Sequence, residues 1–174
     1  MQQIQALTED DFIEVQTFYW DVIDKMQGSE YHPAWEKGVY PSESFLKESL
    51  KSRELFAVRK DGKIIAAMVL NQDCNEGYEG ISWNIEAASN EVMVIHILCV
   101  LPEYQGYGFA KTMVKDAICI AKDEKLKAIR LDVLHGNIPA LKLYEKMGFK
   151  YCQTVNMFYE DTGWTDFLLY ELVL

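Results

Sequence analysis

Positive charge is in short supply in this chain. Lysine and arginine number 17 against 27 aspartates and glutamates, which gives a formal net charge of −10 and an isoelectric point near 4.8. Nucleic acids and anionic membranes are held by basic surface, so neither is expected as a main partner. The acidic balance is compatible with a cationic substrate, although it serves solubility equally well. Cysteine is sparse and unpatterned. Cys74, Cys99, Cys119 and Cys152 show no CxxC spacing, so reduced thiols are expected, with no disulfide and no metal site. Long apolar runs are missing too. The longest, Val92 to Leu101, is interrupted by His96 and falls well short of the roughly 20 residues that span a bilayer. The opening MQQIQALTEDD carries neither the basic nor the apolar segment of a secretory signal. A soluble, cytoplasmic protein is predicted. No repeat, low-complexity tract or linker interrupts the sequence.

What is present suits one domain over residues 1–174, with 49% hydrophobic residues to build a core. Ile4 to Leu7 reads as a short strand. Thr8 caps a helix whose apolar residues Phe12, Val15, Tyr19, Val22, Ile23 and Met26 recur at helical spacing. A second helix starts at Pro41-Ser42. Leu55–Arg59 and Ile64–Leu70 form a hairpin around Asp61-Gly62. Trp83–Glu86 is a candidate short strand. Glu91 to Val100 is nearly continuous in apolar residues, as in a strand buried on both faces. A helix along Ala110, Met113, Val114, Ala117, Ile118 and Ala121 leads to a strand at Ala128–Leu134, which predicts a parallel pair with a right-handed crossover. Pro139 opens a helix that runs to about Met147. Phe149–Phe158 and Asp166–Leu174 close the chain as strands. The fold class is α/β with a mixed sheet.

Between the long apolar strand and its helix lies Gln105-Gly106-Tyr107-Gly108-Phe109-Ala110. Strand, glycine loop and helix together hold anions, because free backbone N–H groups and the positive end of the helix dipole point the same way. Gly106 and Gly108 leave the approach unobstructed, and Gln105, Gly106, Gly108 and Ala110 would offer N–H groups. A Walker loop is excluded because Ala110 precedes Lys111-Thr112 and the spacing back to Gly106 is short by one residue. A dinucleotide fingerprint is excluded because Lys111 stands at its third glycine.

The order Gln-Gly-Tyr-Gly-Phe-Ala resembles the [Gln/Arg]-x-x-Gly-x-[Gly/Ala] acetyl-CoA loop of the GNAT family of N-acetyltransferases. Farther on, Asn137-Ile138-Pro139-Ala140-Leu141-Lys142-Leu143-Tyr144-Glu145-Lys146-Met147-Gly148-Phe149 resembles the family's Asn…Ala…Leu-Tyr-Glu-Lys-x-Gly-Phe motif. The resemblance implies a mixed sheet of about seven strands flanked by four helices. It implies acetyl-CoA as co-substrate, an amine as acceptor and direct attack in a ternary complex, in a monomer or homodimer. The cofactor would lie along Leu98, Cys99, Val100, Gln105, Gly106, Gly108, Phe109, Ala110, Lys111, Asn137 and Tyr144. Tyr144 would protonate the leaving sulfur, and the N–H of Leu98 or Cys99 would receive the carbonyl oxygen.

His96 is the candidate base. Strict alternation would put it on the face of Leu98 and Val100, and an imidazole titrates near neutral pH. A buried, hydrogen-bonded histidine in an apolar strand is the competing reading, and Glu91 is a weaker candidate for the base. Tyr31, His32, Trp35 and Trp83 are candidate acceptor contacts, with Tyr40, Tyr78, Tyr159 and Trp164 nearby. Aromatics there suit an apolar or cationic amine, or simply core packing. The rival from another class is an acyl-CoA-binding module without catalysis on the same fold.

Overall fold

A computed structural model describes residues 4–174. The elements are β1 (Gln5–Ala6), α1 (Phe12–Met26), α2 (Glu43–Lys51), β2 (Leu55–Lys60), β3 (Lys63–Asn71), β4 (Val92–Val100), α3 (Phe109–Asp123), β5 (Ala128–Leu134), α4 (Ile138–Lys146), β6 (Lys150–Tyr159) and β7 (Gly163–Val173). They make one seven-stranded sheet in the order β1-β2-β3-β4-β5-β7-β6. Only β4 and β5 run parallel, as the helix between them requires; the other neighbours are antiparallel.

Local chemistry sets the boundaries. Asp11 accepts the Thr8 N–H at 2.8 Å before α1 begins, and the Ser42 hydroxyl accepts the Phe45 N–H at 3.2 Å at the start of α2. The β2–β3 turn places Asp61 at φ 50° and Gly62 at φ 79°, the left-handed pair that a tight hairpin needs. Arg59 on β2 pairs with Asp11 at 2.8 Å and also with Glu14, which fastens α1 to the edge of the sheet. After its first residue β3 is buried throughout, because α1 covers one face and α3 the other.

Trp83–Glu86 is not a strand. The segment is held as a loop by a buried ion pair between Arg130 on β5 and Glu171 on β7, 2.9 Å apart. Glu171 accepts the Asn84 N–H at 2.7 Å, Arg130 donates to the Ile85 carbonyl at 3.3 Å, and the guanidinium lies 4.2 Å from the centre of the Trp83 ring. Backbone groups that a ladder would have satisfied are satisfied here by side chains. Among the described residues no helix is long and apolar enough to cross a membrane.

Candidate functional site

The site begins where two parallel strands part. β4 and β5 are in register only from Val92 opposite Ala128 to Val94 opposite Arg130. Beyond that point β4 carries a bulge. Cys99 faces Ala67 and His96 faces Val69 on β3, so Met68 alone spans Ile97 and Leu98. Ile97 sits at φ 45°, a costly conformation for a β-branched residue, and the buried Tyr19 hydroxyl donates to its carbonyl at 3.2 Å.

The bulge resets the alternation of β4. Ala67 and Val69 share a face of β3, so their partners Cys99 and His96 share a face too. His96 is therefore not on the face of Leu98 and Val100, contrary to the expectation from strict period two. It packs edge-on to Phe45 of α2, with its Nε2 2.7 Å from Asn71 Oδ1, and it lines none of the cavities around the parted strands. Burial pulls its pKa down to about 4, a neutral ring over most of the pH range. Glu91 lies at the far end of β4, paired with Lys127 at 2.7 Å.

One groove of about 800 Å³ runs along the parted edge of β4 and over the glycine loop. All of Leu98, Cys99, Val100, Gln105, Gly106, Gly108, Phe109, Ala110, Lys111, Asn137 and Tyr144 line it. Gly106 and Gly108 have φ of 81° and 87°, which side chains resist, and a Cβ on either would meet nothing within 4 Å. The two glycines are set by the turn into α3, and they leave open space in front of its free N–H groups. Gln105 departs from expectation. Its N–H is used within the loop, donating to Pro102 O at 3.2 Å, while its side chain donates to Val100 O at 3.1 Å. It shapes the loop rather than offering a donor to the groove. Lys25, Lys111, Lys142 and Lys146 also line the groove, a basic stretch in an acidic protein.

A second cavity, of about 120 Å³, opens between the ends of β4 and β5 and shares Pro33, Trp35, Leu98, Asn137, Ala140 and Tyr144 with the groove. Asn137 caps α4, accepting the Ala140 N–H at 3.3 Å. Tyr144 on α4 is 7% exposed and packs against Phe149. No hydrogen bond among the described residues ties down its hydroxyl. Burial and the nearby Asp132 push its pKa up, so the phenol stays protonated.

Asp132 was not picked out by the sequence. It is the one carboxylate of the strand Ala128–Leu134, partly buried, on the wall of the second cavity. Tyr78 and Tyr159 both donate to its Oδ2, at 2.9 and 3.1 Å, and among the described residues Oδ1 has no hydrogen bond. Burial raises its carboxyl pKa, and the two phenols oppose that rise. A carboxylate two residues after a buried arginine, in a strand whose other residues are apolar, was the only signal available.

The acceptor candidates separate. Trp35 lines both cavities and Tyr31 lines the groove. His32 lies in a different depression, beside Ile23 and Lys37, and accepts the Ala34 N–H through Nδ1 at 3.0 Å. Trp83 stacks on Arg130 and Tyr78, away from both cavities. Trp164 is 72% exposed and pairs with Phe158. Tyr40 and Tyr159 meet edge to face, 5.5 Å apart, in the wall of the second cavity.

Residues 19–149 match the model of the Acetyltransferase (GNAT) family, and the chain belongs to that family. It is 26% identical over 116 residues to streptothricin acetyltransferase of Streptomyces lavendulae, a stretch covering 67% of this chain and 54% of that protein. The chain thus spans about half the length of that curated relative. A GNAT-family acetyltransferase from Streptococcus agalactiae superposes with a TM-score of 0.77 at 17% identity, over 99% of this chain and 95% of the other. A Salmonella typhimurium structure that holds its cofactor acetyl-CoA superposes with a TM-score of 0.71 at 13% identity, over 100% and 94%. These structural likenesses concern the fold.

Proposed function

We propose that this chain transfers the acetyl group of acetyl-CoA to a primary amine. The observation that carries the reading is the shared wall of the two cavities. An anion-holding groove and a small pocket meet at Leu98, Asn137 and Tyr144, with Asp132 on the pocket side. The groove fits the cofactor's chemistry. The glycine loop and the start of α3 hold the pyrophosphate, the lysines add positive charge, and the unpaired edge of β4 takes the amide-bearing arm.

When bound, acetyl-CoA supplies an activated acyl carbon on a thioester. An alkylamine has a pKa near ~10.4 and arrives protonated, so a base must first take its proton. Asp132 accepts that proton at Oδ1, while the two phenols hold its other oxygen in place. We assign His96 to packing rather than proton transfer. The amine nitrogen then forms its bond to the acyl carbon, and an N–H of β4 at Leu98 or Cys99 receives the charge developing on oxygen. As the carbon–sulfur bond breaks, Tyr144 gives its proton to the departing sulfur and the nitrogen loses its second proton to solvent; Tyr144 then regains a proton from solvent and Asp132 releases its own there. The cavity holds the amine beside the thioester, which removes the cost of bringing the two reactants together.

Thermal unfolding with and without acetyl-CoA tests the cofactor assignment. Saturating acetyl-CoA at about 100 times its dissociation constant is expected to stabilise the protein by about 2.7 kcal/mol and raise Tm by several degrees. An unchanged Tm at millimolar acetyl-CoA overturns it.

A further inference from the structure

The two cavities differ in charge as well as size. Four lysines line the cofactor groove, with Glu30 the one acidic side chain among them. In the smaller cavity Asp132 and Asp161 are the only charged side chains, and among the described residues neither is in an ion pair. Asp161 comes from the β6–β7 turn, and its Oδ1 accepts the Thr162 N–H at 3.0 Å. Burial, with smaller contributions from Glu36 in the segment before α2 and from Glu160, pushes its carboxyl pKa up. Two separate segments thus bring unpaired carboxylates to one cavity. Tyr40 lines the same cavity as both carboxylates. Trp35, Tyr40 and Tyr159 give this cavity aromatic walls, with ring centres 6.5 Å apart for Trp35–Tyr40 and 5.5 Å for Tyr40–Tyr159.

Each feature favours a cation over a neutral or anionic acceptor. Unpaired carboxylates in a partly dry cavity attract an ammonium strongly, and aromatic faces add to that attraction. The two carboxylates also divide the cavity into stations. Asp132 stands on β5 where the parallel strands part, and Asp161 comes in from the β6–β7 turn. A cavity of about 120 Å³ admits a slender chain and excludes a bulky ring system.

We infer that the acceptor is a small dicationic amine of the α,ω-diamine type, with its reacting nitrogen at Asp132 and its second ammonium held by Asp161. This rests on the acetyltransferase reading above. It adds a specificity role for Asp161, which touches the substrate far from the reacting atoms.

The test is steady-state thiol release from acetyl-CoA with matched pairs of amines, the α,ω-diamines from propane to hexane against the straight-chain monoamines of equal carbon number. A peptide with a free alanine N-terminus completes the panel. The best diamine is expected to exceed its monoamine by tenfold or more in kcat/KM, with an optimum at one chain length. Rising salt is expected to shrink that ratio. In Asp161→Asn the ratio is expected to fall towards one, chiefly through a higher KM for the diamine. Equal kcat/KM for diamines and monoamines overturns the inference and leaves the transferase standing. So does a peptide that outperforms every diamine, or a diamine preference untouched in Asp161→Asn. No turnover of any amine overturns the transferase reading and this inference with it.

Discussion

The Tyr78 hydroxyl donates to Asp132 Oδ2 at 2.9 Å, linking the long β3–β4 segment to the middle of β5. Tyr159 donates to the same oxygen at 3.1 Å from the end of β6. One carboxylate oxygen is thereby fixed from two sides, and the other is left to the cavity. The fastening of the β3–β4 segment by Arg130 and Glu171 matters for this reason: it holds the stretch whose tyrosine orients Asp132.

This pair makes a pH prediction with a definite sign. Asp132 acts as a base only when ionised, and burial holds its pKa above the ordinary aspartate value of ~3.9. Activity is therefore present above that raised pKa and lost as pH falls through it. Tyr78→Phe removes a bond that favours the ionised form, so the acid limb of kcat/KM is expected to move to higher pH. Asp132→Asn is expected to cost about 10²–10⁴-fold in kcat/KM and to abolish that limb. A full-rate Asn variant with the same limb would put the base elsewhere.

Tyr144 makes a claim about partition between binding and turnover. Its hydroxyl is proposed to act only as the carbon–sulfur bond breaks. Tyr144→Phe keeps the ring that packs on Phe149 and is expected to lower kcat about 10²-fold, with the dissociation constant of acetyl-CoA changing less than about threefold. Equal losses in kcat and binding would make Tyr144 a packing residue. Because its phenol pKa is raised, no alkaline limb from this group is expected below pH ~10.

Much of the fold was legible because periodicity reports burial directly. Ala128–Leu134 matches its observed strand end to end, and the Asp61-Gly62 turn follows from backbone preferences alone. The groove over the glycine loop was legible because glycine spacing and a helix start are local features. The face on which His96 lies was not, and the reason is specific. Alternation along β4 assumes a regular strand, and the single-residue bulge at Ile97 and Leu98 turns His96 to the other face. Nothing in VMVIHILCV marks that bulge, which is accompanied by a tertiary contact, the Tyr19 hydroxyl on the Ile97 carbonyl. Trp83 lies away from both cavities for a similar reason: it rests on Arg130, whose ion-pair partner is 41 residues away in sequence.

His96 offers a check independent of catalysis. Its pKa is about 4 in the folded chain, against ~6.5 when unfolded. The unfolded state therefore binds the extra proton first, and stability falls as pH drops from about 6.5 towards 4. The loss by the bottom of that window is about 3 kcal/mol. Stability is full above the window. Chemical denaturation of the wild type and His96→Gln across these pH values measures it: the variant is expected to show a flatter dependence. Equal slopes would mean that His96 is not buried in its neutral form.

The central claim is that the groove and the small cavity form one catalytic site rather than a cofactor store. The most direct measurement follows both products from one reaction, free CoA thiol and acetylated amine, with the chain, acetyl-CoA and a diamine. One acetylated amine for each thiol released, over many turnovers per protein and suppressed at least 10²-fold in the Asp132→Asn, Tyr144→Phe double variant, is the predicted result. Acetyl-CoA that binds and raises Tm, with thiol release no faster than the protein-free blank for any amine, would contradict the claim and leave a non-catalytic acyl-CoA-binding module on this fold.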